Sequence, residues 1–135
     1  MTAVLLDTNA LLWLGQDPDR LSDSAMEIIG DASQPVFVSV ASAWEIAVKT
    51  RSGRLHGEGL LSGWTEWLAA MSVTALPIEV PDAITAGSLN WDHGDPFDRM
   101  IVAQAVRRGL TIATSDQAVL AGALTPVVDT RRGRR

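Results

Sequence analysis

The sequence predicts an α/β fold with a parallel β-sheet of about five strands and helices on both of its faces. Short apolar stretches of strand length alternate with longer segments in which apolar residues recur at helical spacing. Such helices provide the crossover connections that parallel strands require. With 135 residues, 47% of them hydrophobic and 20% charged, the chain is long and apolar enough to bury one core.

The first third of the chain predicts two strands and two helices. Residues 4–6 form a short apolar strand that ends at Asp7, and the apolar spacing over residues 10–14 indicates the start of a helix. Ser22 can cap a second helix, which ends near Gly30. Residues 36–40 then form the second strand.

The middle of the chain predicts two helices and a third strand. A helix over residues 41–50 is expected to have Trp44, Ile46, Ala47 and Val48 near its buried side. A glycine-containing loop leads to Gly59. The next helix is indicated by a stripe at helical spacing, formed by Leu60, Trp64, Trp67, Leu68 and Met71. Residues 73–76 form a strand before Pro77.

The last third predicts three helices and two strands. A helix over residues 81–89 is followed by Asp95-Pro96, which is typical of a cap and the first helical position. This helix should end at Gly109, and its expected inward residues are Ile101, Val102, Ala105 and Val106. A strand over 110–113, a short helix from Asp116 to about 124 and a strand over 125–128 complete the fold.

Composition limits the cellular context and the partners. The chain has no cysteine, so a disulfide framework and a thiolate zinc site are excluded, and we expect a cytoplasmic, non-membrane protein. Its net charge of −5 argues against a DNA-reading domain with a broad basic face. We expect one domain over residues 1–130 and a basic tail over 131–135, with arginines at 131, 132, 134 and 135.

Two acidic residues follow strands of the predicted sheet directly. Ligands of parallel sheets bind outside the carboxyl ends of the strands, which is where Asp7 and Asp116 should lie. Carboxylate oxygens suit a hard cation such as Mg²⁺. Spacing alone does not show that other acids reach this edge, and both aspartates could instead cap their helices.

Four segments of the chain place an acid in a distinctive local context. They are VLLDTNALL around Asp7, SVASAWEI around Glu45, DPFDRMIVAQA around Asp98, and ATSD ending at Asp116. In this order, and over nearly the whole chain, they resemble the signatures of the PIN-domain ribonucleases, particularly the VapC-type toxins of prokaryotic toxin–antitoxin pairs.

The resemblance implies a function and a set of site residues. It implies an endoribonuclease dependent on Mg²⁺ or Mn²⁺ in which Asp7, Asp98 and Asp116 bind metal and Glu45 binds metal or orients the attacking water. Thr8, Asn9 and Thr114 match flanking positions that hold carboxylate rotamers. The resemblance also implies a homodimer and a cognate, VapB-like antitoxin whose carboxy-terminal segment occupies the groove beside the acids.

Several of these residues also have purely structural explanations. Ser42 to Glu45 fits a capping box, and Asp98 would interact with a helix dipole. Asp95 fits an N-cap so well that we predict a structural role for it. His56 and His93 lie in loops beside glycine and are expected to be solvated surface residues.

The basic residues near the acids permit two interpretations. Lys49, Arg51 and Arg54 follow Glu45 by about one and two helical turns and could guide RNA, or could form an ordinary solvated face. Arg99 could contact RNA phosphate or form a salt bridge to a neighbouring acid. The arginine tail could bind RNA or be covered by an acidic partner.

Two other functions are compatible with parts of the sequence. A haloacid-dehalogenase-type phosphatase also has an aspartate after its first strand, but Asp7-Thr8-Asn9 lacks that family's second aspartate. A non-catalytic RNA- or protein-binding module could retain the PIN fold. Such a binder has no need to keep four like charges together, which favours the nuclease.

Overall fold

The computed structural model describes residues 3–122 and 124–132. Residues 133–135, three of the five residues of the predicted basic tail, lie outside these residues. Within the described residues, five strands and eight α-helices alternate along the chain. The elements are β1 Val4–Leu6, α1 Thr8–Gln16, α2 Asp23–Ile29, β2 Val36–Ser39, α3 Val40–Arg51, α4 Glu58–Ser62, α5 Trp64–Ala70, β3 Val73–Leu76, α6 Val80–Ser88, α7 Pro96–Arg108, β4 Thr111–Thr114, α8 Gln117–Gly122 and β5 Val127–Asp129.

The sheet is parallel and has the strand order β3-β2-β1-β4-β5. The chain builds outward from β1 through β2 to β3 and then crosses back, so that β4 pairs with the opposite side of β1. The strand order therefore reverses at β1 and β4, whose carboxyl ends form the switch point at which ligands bind in such sheets. The predicted α/β class with a parallel sheet is confirmed.

The core has two parts, one on each face of the sheet. Val4 and Leu6 of β1 belong to a cluster that includes Leu11 and Ile46, whereas Leu5 points to the other face and packs with helix α7. This alternation follows from the two-residue period of a strand. None of the helices in the described part of the chain has the length and apolarity of a membrane-spanning segment.

Several predicted helix boundaries agree with the structure. The Ser22 side chain accepts a hydrogen bond from the backbone of Ala25 at the start of α2. Asp95 caps α7 by accepting from the backbone of Asp98, and Gly109 ends that helix in the left-handed conformation with φ of 66°. A residue with a Cβ is disfavoured at that φ, so glycine suits this position.

The predicted single helix from Leu60 to Met71 is wrong, because the structure has two short helices. Helix α4 ends at Ser62 and α5 begins at Trp64, with Gly63 between them. Glycine has the weakest helix propensity after proline, so the chain can turn there while Trp64, Trp67, Leu68 and Met71 still pack in the core. The stripe indicates most of the residues that reach the core but not that the helix is interrupted.

Of the four residues predicted on the buried side of α3, only Ile46 is buried, and Trp44, Ala47 and Val48 are exposed. The buried residues of α3 are Ala41, Ser42, Glu45 and Ile46, whereas Trp44 is 57% exposed and Val48 is exposed as well. Apolar residues surround most of this helix, so periodicity did not select a face. Val106, predicted to face inward from α7, is likewise exposed.

Helices α6 and α7 are joined by ion pairs that the sequence did not reveal. The buried carboxylate of Asp82 accepts hydrogen bonds from Arg107 and Arg108. Although burial opposes ionisation, these arginines and the backbone of Glu79 hold the pKa of Asp82 well below its usual range. The pairs anchor the carboxy-terminal half of α7, the helix that carries Asp98 in its first turn.

Candidate active site

The ends of β1 and β4 place two aspartates at the same edge of the sheet. Asp7 follows β1 and is the N-cap of α1, with Oδ1 accepting from the backbone of Ala10 at 2.8 Å. Asp116 follows β4 and accepts from the backbone of Ala118 and Val119 at the start of α8. Both aspartates therefore have the capping role that the sequence left open, and both also face the cleft described below.

Thr114 connects these two aspartates. Its hydroxyl donates to Asp7 Oδ2 at 2.5 Å and accepts from the backbone N–H of Asp116 at 2.9 Å. Asp7 is only 6% exposed, and both of its carboxylate oxygens are hydrogen-bonded. The position of Thr114 agrees with its predicted role in holding a carboxylate rotamer.

Glu45 reaches the cleft from helix α3. The Thr8 hydroxyl donates to Glu45 Oε1 at 2.5 Å and lies 2.9 Å from the Ser42 hydroxyl, while Lys49 Nζ is 2.6 Å from Glu45 Oε2. The predicted capping box at Ser42 is wrong, because Ser39 is the N-cap of α3. Glu45 instead sits on the buried face, where its partners come from side chains.

Asp98 enters from the first turn of α7. Its backbone N–H binds the capping carboxylate of Asp95, and its own Oδ2 lies 2.7 Å from His93 Nε2. Asp95 thus has the structural role predicted for it, although it also lines the cleft.

All four predicted acids converge on one open cleft of about 100 Å³. The described residues that line it come from four segments of the chain: Asp7, Thr8, Asn9, Glu45, Lys49, Asp95, Asp98 and Asp116. The acidic residues outnumber Lys49, the basic residue of this set. The cleft therefore concentrates negative charge at the switch point of the sheet.

The carboxylates of the cleft are close together and have too little positive charge around them to balance their negative charge. The pKa of Asp7 is raised from 3.8 to about 7. Burial is the largest cause, and the charges of Asp98 and Glu45 act in the same direction, whereas the hydrogen bonds from Thr114 and Ala10 lower the pKa. Burial also raises the pKa of Asp98, to about 6, opposed by His93 and reinforced by the charges of Asp95 and Asp116. A cation bound among these oxygens would relieve both effects.

The residues present fit a divalent cation. The donor set consists mainly of carboxylate oxygens, which Mg²⁺ and Mn²⁺ prefer. In addition, one ligand atom each from His93, Asp98 and Asp116 lie within 4.8 Å of one another. Asp7 also lines this cleft.

His93 was wrongly predicted to be a solvated surface residue. Its side chain is 28% exposed, it binds Asp98, and its ring packs on Trp91 with centroids 4.9 Å apart. The one available signal was its position five residues before Asp98, which did not reveal that the loop folds back onto the start of α7. His56, by contrast, is exposed as predicted.

Arg99 holds the loop that carries His93. Four of its five N–H donors bind backbone carbonyls, those of Ala86, Leu89, Trp91 and His93, at 2.7 to 3.0 Å. Within residues 3–122 and 124–132, Arg99 forms no salt bridge and does not line the cleft. Its predicted contact with RNA is untested and stays a prediction.

Arg99→Lys should loosen the His93 loop. A lysine ammonium cannot replace the planar guanidinium that reaches several carbonyls, so we expect a loss of about 1–3 kcal/mol in unfolding free energy. Amide hydrogen exchange should quicken over residues 89–93. Arg51→Lys, at an exposed arginine, is the matched control and should change neither quantity. Weaker RNA binding with unchanged exchange would instead indicate a direct RNA contact.

The remaining basic residues lie at different distances from the cleft. Lys49 lines it and pairs with Glu45, whereas Arg51 and Arg54 are exposed and lie outside the lining set. Arg54 donates to the Ser52 hydroxyl. Asn9 lines the cleft and is exposed.

Comparison with known proteins identifies the family. The sequence profile described as "PIN domain" matches residues 4–121, which is most of the chain and includes all four acids. The chain belongs to the PIN-domain family. This PIN domain is also 33% identical over 118 residues to Ribonuclease VapC22 of Mycobacterium tuberculosis, a match that covers 87% of this chain and 89% of that protein.

Solved structures share the fold of this PIN domain. VapBC2 of Rickettsia felis, solved with a DNA fragment from its promoter, superposes with a TM-score of 0.69 at 15% identity, covering 95% of this chain and 98% of that one. DNA-bound VapBC of Salmonella typhimurium gives a TM-score of 0.65 at 17% identity, with coverage of 96% and 98%. The predicted relationship to VapC-type PIN domains is confirmed, and the haloacid-dehalogenase alternative is not supported.

Proposed function

We propose that this PIN domain is an endoribonuclease of the VapC type that hydrolyses RNA phosphodiester bonds with Mg²⁺ or Mn²⁺. The observation that carries the proposal is the convergence of Asp7, Glu45, Asp98 and Asp116 in one cleft. The similarity to a named ribonuclease over most of the chain supports RNA as the substrate.

The four acids, Thr8 and Lys49 each have a role in this proposal. Asp7, Asp98 and Asp116 hold the cation, and Glu45, fixed by the Thr8 hydroxyl and by Lys49, orients the attacking water. Lys49 also offers positive charge to an incoming phosphate. The bound cation would polarise the phosphate and lower the pKa of the water.

The charge balance explains why metal and substrate should bind together. The cleft repels a phosphate as long as its carboxylates are uncompensated, and a divalent cation reverses the local field. Lys49 Nζ pairs with Glu45 Oε2 at 2.6 Å, so its single positive charge lies beside the acids but does not neutralise all of them. We therefore infer that RNA binds productively only after the cation.

The test is cleavage of labelled RNA by the purified chain in Mn²⁺, in Mg²⁺ and in excess EDTA. We expect endonucleolytic products with either metal and none with EDTA, and no hydrolysis of small phosphate esters. Undiminished cleavage in EDTA would refute the proposal. RNA gel shifts without cleavage in Mn²⁺ would favour the non-catalytic binding module.

We also infer that the chain is the toxin of a type II toxin–antitoxin pair, bound by a VapB-like antitoxin. The exposed residues Val40, Trp44 and Val48 lie four positions apart along α3, the helix that also carries Glu45. Trp44 contacts Phe97 of α7 edge-on, with ring centroids 4.7 Å apart. This apolar stripe beside the acids supports a groove for an antitoxin segment.

The homodimer, the cytoplasmic location and the domain limits of 1–130 and 131–135 remain part of this proposal. Val80 and Ile84 on α6 are further exposed apolar residues, which supports self-association. Arg131 of the tail pairs with Asp129, and Arg132 donates to the carbonyl of Asp19. These contacts give the described part of the tail a structural role beside any role in binding.

A further inference from the structure

His93 lies in the loop before α7 and contacts Asp98, a residue that lines the cleft. Its Nε2 atom is 2.7 Å from Asp98 Oδ2, and its ring packs against Trp91. Its carbonyl, and that of Trp91, accept hydrogen bonds from Arg99, the residue after Asp98. The imidazole and the carboxylate are thus positioned by the same short stretch of chain.

The spacing of this group matches a metal site. Ligands about 2.0–2.2 Å from one cation lie no more than about 4.4 Å from each other. The ligand atoms of His93, Asp98 and Asp116 lie within 4.8 Å of one another, so a small side-chain adjustment would let all three reach one ion. These side chains are half-buried, which leaves room for water and phosphate in the remaining positions.

We propose that His93 is a nitrogen ligand of the divalent cation, alongside Asp98 and Asp116. This inference rests on the proposed metal-dependent nuclease and adds a ligand that the four-acid set does not contain. Asp7 lies outside this three-residue group but lines the same cleft.

A nitrogen ligand has a consequence for metal choice. Imidazole binds transition-metal ions well, whereas Mg²⁺ prefers an all-oxygen shell with several waters. His93 therefore favours Mn²⁺ over Mg²⁺ at this site. Removing the imidazole should weaken Mn²⁺ binding more than Mg²⁺ binding, so the ratio of the two affinities becomes smaller.

The alternative is that His93 only orients Asp98 through their hydrogen bond. The two roles differ in what a glutamine can replace. The His93→Gln amide can donate to Asp98 but provides no imidazole nitrogen, so it would preserve a positioning role and abolish a ligand role. His56→Ala, at the exposed histidine, is the matched control.

The experiment measures Mn²⁺ and Mg²⁺ affinity by calorimetry and ¹⁴N coupling to bound Mn²⁺ by pulsed electron paramagnetic resonance. We expect histidine ¹⁴N coupling in the wild-type chain and in His56→Ala, and its loss in both His93→Ala and His93→Gln. Mn²⁺ affinity should fall at least about tenfold in both His93 variants. Circular dichroism melting verifies that each variant is folded.

The outcomes separate this inference from the proposed function. Mn²⁺ binding that Asp98→Asn abolishes, but without ¹⁴N coupling in the wild type, would overturn the His93 ligand and leave the metal-dependent nuclease intact. Full affinity in His93→Gln would likewise overturn it in favour of positioning. Failure of the wild-type chain to bind Mn²⁺ at all would overturn both.

Discussion

Asp7→Asn is expected to lower RNA cleavage in Mn²⁺ by about a thousandfold or more. Asparagine can still accept from the Ala10 backbone and contact Thr114, so the local structure should persist. The substitution removes the negative charge of the most buried of the three proposed metal ligands. Losing several kcal/mol of electrostatic stabilisation of the transition state corresponds to a change of this size.

The measurement is the single-turnover rate of RNA cleavage at saturating metal. Glu66→Gln, at an exposed acid on α5 away from the cleft, is the control and should cleave at the wild-type rate. Cleavage by Asp7→Asn within a few-fold of wild type would contradict the assignment of Asp7. An equal loss in Glu66→Gln would point to contamination or misfolding instead.

The metal-free protein should lose stability as the pH rises from about 4 to about 7. The folded pKa of Asp7, about 7, lies above its ordinary value of 3.8, so folding favours the protonated carboxyl. The stability that this neutral form provides is fully present below pH 4 and is lost as the pH rises through 7. Asp98, with a folded pKa of about 6, acts in the same direction.

This loss should be large because Asp7 is buried. A pKa raised from 3.8 to about 7 corresponds to a free energy on the order of 4 kcal/mol. We therefore expect Asp7→Asn to raise the melting temperature in EDTA by about 10 °C at pH 8 and to change it little at pH 4. One substitution would then stabilise the fold and abolish catalysis.

Thermal unfolding in EDTA at pH 4 and pH 8 tests this linkage, with Glu66→Gln again as the control. Saturating Mn²⁺ at pH 8 should restore stability to the wild-type chain and do so much less in Asp7→Asn, because the cation stabilises the ionised carboxylates. A wild-type melting temperature that is equal at both pH values in EDTA would show that Asp7 is not held in its protonated form.

The elements themselves were largely predictable, because their signals are local. The strand before Asp7, the Ser22 cap, the Asp95-Pro96 start and the Gly109 end each depend on a few neighbouring residues. The break at Gly63 and the inward face of α3 were not predictable from local pattern. Both depend on which element packs against the helix, and a pattern of apolar residues along the sequence does not identify that element.

The sequence by itself determined the fold class and the four acids, because strand ends of a parallel sheet meet at one edge and each acid lies in a recognisable segment. The resemblance also pointed to Thr8 and Thr114, but only the tertiary structure decided which carboxylate each of them contacts and that His93 joins the acids. Thr114 bridges Asp7 and Asp116, Thr8 holds Glu45, and Arg99 folds the His93 loop onto Asp98. These contacts join separate elements or reshape a loop, and hydrogen bonds of that kind leave no periodic or compositional signal along the chain.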